Sequence, residues 1–199
     1  MIAARATPFA LALVPAHVAW RVALAVSGSA LIALAAQVSI PLPFGPVPLT
    51  GQTFAVLLVG AALGSRLGAG TVLLYLAEGA AGLPVFAPGG PPGIARFAGP
   101  TAGYLAGFVG AAFVVGWLAE RGWDRRFATA VLAMLAGEVV IYAVGLPWLA
   151  RFVPPERVLA AGLFPFIPGD LLKVLLAAAA LPAAWRLVAV RPFGRREIH

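Results

Sequence analysis

Apolar runs interrupted only by proline, glycine and arginine fill nearly the whole chain, and no other feature limits its fold as strongly. A water-soluble core of this size has nowhere to put so many apolar side chains. Of the 199 residues, 62% are hydrophobic and 11% charged, against roughly 45–50% and about 25% in soluble domains. The chain is therefore an integral membrane protein by composition. That excludes ordinary cytosolic enzymes and disordered tails, and the absence of cysteine excludes a secreted disulfide scaffold. A helical span takes about 20 residues, so there is room for at most about nine.

The punctuation predicts six spans, at about 18–37, 52–65, 68–83, 101–119, 128–149 and 168–188. Only Ser65 to Leu67 separates the second from the third, which predicts a tight helical hairpin. The expected fold is all-α: a single membrane domain over 1–199, a bundle of six transmembrane helices. Charge sets its orientation. With a cytoplasmic amino terminus, that side receives Arg5, Arg21, Arg66, Arg121, Arg125, Arg126, Arg186, Arg191, Arg195 and Arg196. The other side receives Arg96, Arg151 and Arg157. This is a positive-inside pattern, and an even number of spans puts both termini in the cytoplasm. A competing view takes residues 1–20 as a secretory leader, but Pro15 interrupts the apolar run and Arg21 follows it. The net charge of +7 does not point to nucleic acid, because the arginines lie between apolar stretches rather than on one face.

The connections on the two sides differ. Those on the cytoplasmic side are short and basic, whereas 40–48, 84–100 and 152–169 are long and rich in proline and glycine. Prolines 41, 43, 46 and 48 forbid helix and favour a stiff extended path. Elaborate external loops over minimal internal ones place recognition, and a substrate pocket, near the external face.

Several polar residues stand out against this background. Asp170 and Lys173, three apart in the last span, share a helix face, and Lys173 is the only lysine in the chain. An intramembrane charge is expensive and functional by default; the alternative is a structural ion pair with the lysine reaching outward. Glu78 and Glu138 also lie within spans and can line a polar cavity. For Glu138 the options are a proton relay, a protonated carboxyl or a pair with Lys173. Thr50 is a competent helix cap, and Gln52 beside Thr53 carries both donor and acceptor, suiting an amide or urea-like ligand. Arg96 is the best-placed external cation for a carboxylate. Tyr104 and Phe108 offer apolar walls, and Gly99, Gly103, Gly107 and Gly110 permit close helix packing. The first span carries two lines of small residues, Ala19, Ala23 and Ser27, and Ala25, Ser29 and Ala33. Each line serves either packing within the bundle or docking on another membrane subunit. There is no G-x-x-x-x-G-K-[ST] phosphate loop, no metal cluster and no nucleophile–base arrangement, so neither ATP hydrolysis by that route nor an enzyme is expected.

The motifs, taken together, resemble the BioY family, the biotin-specific S components of energy-coupling-factor (ECF) transporters. The matching stretches are Pro46-Val47-Pro48-Leu49-Thr50 with Gln52-Thr53, Tyr75 followed by 82–86, Gly99-Pro100-Thr101 with Gly103-Tyr104, and 165–173 with Gly169-Asp170 and Lys173. They occur in family order; Gly51 stands where a larger apolar residue is more usual. The resemblance implies biotin as transported ligand with no cofactor, and a place in the bacterial cytoplasmic membrane. The implied partners are a transmembrane coupling subunit and two cytoplasmic ABC-type ATPases, with the small-residue lines of the first span as a docking surface. It further implies Asp170 on a ureido N–H and Lys173 on the ureido oxygen or holding Asp170. Gln52 and Thr53 would complete the polar shell, Arg96 would meet the carboxylate, and Tyr104, Tyr142 and Phe86 would form walls. The roles of Lys173 and Arg96 can be exchanged. The alternative function is a small proton-coupled carrier of an organic carboxylate, working through Glu138.

Overall fold

A one-residue reversal at Gly64 joins two of the helices that carry the fold, and it shows how tightly the chain is wound. In the computed structural model, residues 6–15, 17–43 and 45–190 are described. Arg5, Arg191, Arg195, Arg196 and His199 lie outside the described residues. The helices are α1 Phe9–Ala12, α2 Val18–Gln37, α3 Gln52–Leu63, α4 Ser65–Ala80, α5 Ala102–Ala119, α6 Phe127–Leu149, α7 Val158–Gly162 and α8 Ile167–Val190. The six long ones coincide with the expected spans to within three residues at each end. Four of them, α2, α5, α6 and α8, are long and apolar enough to cross a membrane. At 12 and 16 residues, α3 and α4 fall short of the roughly 20 needed.

The α3–α4 connection is shorter than expected. Gly64, at φ +81°, turns the chain alone, so α4 begins at Ser65 rather than near 68. The Glu120 carboxylate makes this possible by accepting from the Ser65 N–H at 2.8 Å and the Ser65 hydroxyl at 2.7 Å. It thus caps an α4 amide that the helix itself cannot satisfy.

Burial ranks the helices. In the most apolar stretch of α5, 67% of residues are buried, against 17% in α2. α5 is therefore the central post, packed against α3, α4 and α6, and α2 lies on the outside against α3 and α4. Gly107 lets α5 touch α6: a Cβ there would come within 3.0 Å of the Ile141 backbone.

The two small-residue lines of α2 separate. Ala19, Ala23 and Ser27 are exposed, whereas Ala25 and Ala33 are partly buried and Ser29 is 2% exposed. The Ser29 hydroxyl donates to Glu78 Oε1 of α4 at 3.0 Å. Only the first line is therefore free for a partner; Ser29, with Ala25 and Ala33, faces the bundle.

The proline-rich first connection is not merely extended. Strands β1 Ser39–Ile40 and β2 Leu49–Thr50 pair antiparallel, Ser39 opposite Thr50, and close it into a small hairpin over the start of α3. The third connection forms a 3-10 turn at Gly93–Ala98. At the opposite end of the bundle, Phe9 of α1 meets Trp185 of α8 edge-on at 5.3 Å, and the Trp185 indole N–H donates to Asp124.

Candidate functional site

Under the hairpin, a cavity of about 620 Å³, counting its mouth, lies between α3, α5, α6 and α8. Eight of the nine expected binding residues line it: Gln52, Thr53, Phe86, Arg96, Tyr104, Tyr142, Asp170 and Lys173.

One end is charged by α8. Asp170 and Lys173 occupy adjacent turns, and Lys173 Nζ lies 2.9 Å from Asp170 Oδ1. Lys173 does not reach outward: it turns into the bundle and donates to Thr53 Oγ1 of α3 at 3.0 Å. The Tyr142 hydroxyl donates to the other oxygen, Asp170 Oδ2. A third ammonium donor and further carboxylate lone pairs are left for a ligand.

The adjoining wall holds a polar relay. Gln52 Nε2 donates to the Tyr75 hydroxyl at 2.6 Å, and that hydroxyl donates to the Val85 carbonyl at 3.2 Å. Thr50 is not the cap residue of α3, which is Gly51. Its hydroxyl instead accepts the Gln52 N–H at 3.3 Å and donates to Gln52 Oε1 at 3.1 Å. Gln52 is thus fixed at both ends of its amide before any ligand arrives.

Arg96 lines the same cavity from the 3-10 turn, which packs against α4 and α5. It is 8% exposed, donates through Nη2 to the Ala87 carbonyl and lies 5.5 Å from the centre of the Phe86 ring. Its Nε has no hydrogen-bond partner among the described residues. Burial pulls its pKa down from the ordinary guanidinium value. A buried guanidinium with an open donor is a site for an anion or a strong acceptor. The cavity also has aromatic walls. Tyr104 and Tyr142 meet edge-on at 6.2 Å, and the Tyr104 hydroxyl donates to Gly162 of α7 at 2.9 Å.

Two acids stand apart. Glu78, expected in the site, does not line the cavity; it points to α2, where Ser29 holds it. Glu138 is 6% exposed and lies within electrostatic reach of Asp170 and Lys173. Neither of its oxygens has a hydrogen-bond partner among the described residues, and Lys173 pairs with Asp170 instead.

Sequence reasoning missed Leu105, Ile141 and Phe166 as walls and Tyr75 as the holder of Gln52. Leu105 was within reach, since Thr101, Tyr104, Leu105 and Phe108 fall at i, i+3, i+4 and i+7 on one helix face. Tyr75 was not, because its role depends on a contact across 23 residues.

Comparison with known proteins identifies the family. The BioY family matches residues 8–190. A "Biotin transporter BioY" of Rhizobium etli is 42% identical over 156 residues, covering 74% of this chain and 83% of the relative. A "Probable biotin transporter BioY" of Pyrococcus horikoshii is 44% identical over 158 residues, covering 79% and 90%. Among solved structures, an S-component for biotin from an ECF-type ABC transporter superposes with a TM-score of 0.73 at 28% identity, covering 83% of this chain and 90% of that one. On the match over residues 8–190 and these identities, the chain belongs to the BioY family.

Proposed function

We propose that this multi-pass membrane protein captures biotin as the substrate-specific subunit of an ECF-type transporter. The observation that carries the reading is the cavity's polarity. One cavity is lined by an ammonium–carboxylate pair, by a buried guanidinium whose Nε has no partner among the described residues, and by aromatic walls. Biotin presents a ureido ring, an apolar bicycle and chain, and a carboxylate, each of which a buried site must satisfy. Asp170 accepts a ureido N–H, and the third donor of Lys173 goes to the ureido oxygen. Gln52 and Thr53 complete that shell, and Arg96 takes the carboxylate. Phe86, Tyr104 and Tyr142 cover the apolar part.

The bundle crosses the bacterial cytoplasmic membrane six times with both termini inside, because Arg21, Arg66, Arg121, Arg125, Arg126 and Arg186 then face the cytoplasm. The short α3 and α4 pack largely on protein, which lets them sit within the bundle at less than full bilayer length. Energy comes from two ATPase subunits through a transmembrane coupling subunit, and α2 meets that subunit along Ala19, Ala23 and Ser27.

Titration of biotin and biotinamide into the purified protein tests the orientation. Truncating one partner of a buried charged hydrogen bond costs about 2–5 kcal/mol, so Arg96→Ala is expected to weaken biotin at least about 30-fold. Biotinamide, which keeps the hydrogen bond but lacks the charge, is expected to lose less than biotin does. Equal losses for the two ligands would remove Arg96 from the carboxylate. Tyr75→Phe frees the Gln52 amide and leaves the Val85 carbonyl unpaired; about tenfold weaker biotin binding is expected, with unchanged stoichiometry. An affinity unchanged by that substitution would show that the relay does not position Gln52.

A further inference from the structure

A second cavity adjoins the first on the outer side of Arg96. It lies between Pro41, Leu42, Gly45, Pro46 and Pro48 on one side and Pro88–Pro91 of the third connection on the other and, counting its mouth, measures about 660 Å³. Pro48, Arg96 and Thr101 line both cavities, so these three residues form the partition. Arg96 faces both ways. Its guanidinium stacks near Phe86 of the inner wall, and its Nη1 lies against Gly90 of the outer wall, where even a Cβ would collide with it. Apart from Arg96, the described residues that line the outer chamber are proline, glycine, Leu42 and Thr101, with no second charge among them. It therefore attracts no anion away from the partition and leaves room for an uncharged or zwitterionic substituent.

This geometry deepens the biotin reading and rests on its placement of the carboxylate at Arg96. We infer that the site also accepts biotin amides, in which a short amine is joined to the carboxyl group and lies in the outer chamber. The amide carbonyl remains an acceptor for the open Arg96 donor, so conjugation removes the charge but not the hydrogen bond. Were the cavity closed behind Arg96, any substituent on the carboxylate would meet protein. Here it adjoins a second chamber across Pro48, Arg96 and Thr101, which line both.

The test is competition against labelled biotin by biotin, biotinamide and Nε-biotinyl-lysine, using the full-length purified protein. Biotinyl-lysine is expected to bind within about threefold of biotinamide, since its extra atoms lie in open space. Pro91→Trp fills the outer chamber without touching the inner one. It is expected to weaken biotinyl-lysine at least about tenfold relative to biotinamide while leaving biotin within about twofold, the size of an overpacking penalty. Pro46→Trp, on the opposite wall, is expected to act the same way and covers a Pro91 variant that does not fold. A protein that binds biotin and biotinamide but takes biotinyl-lysine more than about thirtyfold more weakly overturns the inference. So do tryptophan variants that weaken all three ligands equally. Failure to bind biotin itself would overturn the reading of the site beneath it.

Discussion

Lys173→Ala is expected to weaken biotin binding about 100-fold. In the proposed complex Lys173 donates to the ligand, and truncating one partner of a buried charged hydrogen bond costs about 2–5 kcal/mol of binding. The Lys173 side chain keeps 15% exposure, which places the effect near the lower end, about two orders of magnitude. The loss is local in origin but spreads, since Lys173 also holds Thr53 of α3 while Asp170 is held by Tyr142 of α6. Three helices thus lose a common tie. A second substitution separates folding from binding: Lys173→Met with Asp170→Asn removes both charges and keeps similar volume, which is often neutral for stability. This pair is expected to unfold within a few degrees of the unchanged protein, by thermal melting in detergent, and to bind no biotin at concentrations that saturate the original. A doubly substituted protein that binds within about threefold would show that the charged end of the cavity does not recognise the ligand.

Ala23→Leu is expected to abolish co-purification of the coupling subunit while leaving biotin affinity within about twofold. Helices in lipid associate through close packing of small residues, and an isobutyl group on the exposed line of α2 holds a partner backbone away. Ser29→Leu, only six residues on, is expected to behave differently. Ser29 faces α4, so leucine overpacks the bundle, and Glu78 loses the hydroxyl that holds it. Lower folded yield, rather than selective loss of assembly, is the result to look for. Intact assembly by Ala23→Leu would return the exposed face of α2 to lipid.

The contrast between Ser27 and Ser29 shows where sequence reasoning stops. Apolar runs placed α2 at its observed bounds, because proline, glycine and arginine interrupt runs in a way that bilayer physics enforces. Which side of α2 faces inward was not legible, since a helix that is apolar all round carries no polar stripe to orient it. Glu78 was misplaced for the same reason. The α3–α4 reversal at Gly64 was blurred by three residues because its cap, Glu120, comes from 55 residues away. Asp170, Lys173 and Arg96 could be singled out because, in a chain with so few charges, each must have a partner. Their convergence on one cavity could not be read from spacing: 74 residues separate Arg96 from Asp170, and only the packing of α3, α5, α6 and α8 brings them to a common space. Tyr75 was legible as part of a motif but not as the residue that fixes Gln52.

Calorimetric titration of biotin into the purified protein, without coupling subunit or ATPases, decides whether the cavity is a biotin site. One biotin per chain, with affinity weakened about 100-fold in Lys173→Ala and at least about 30-fold in Arg96→Ala, is the expected result. A folded protein that takes up no biotin, or binds it equally well after both substitutions, would contradict it.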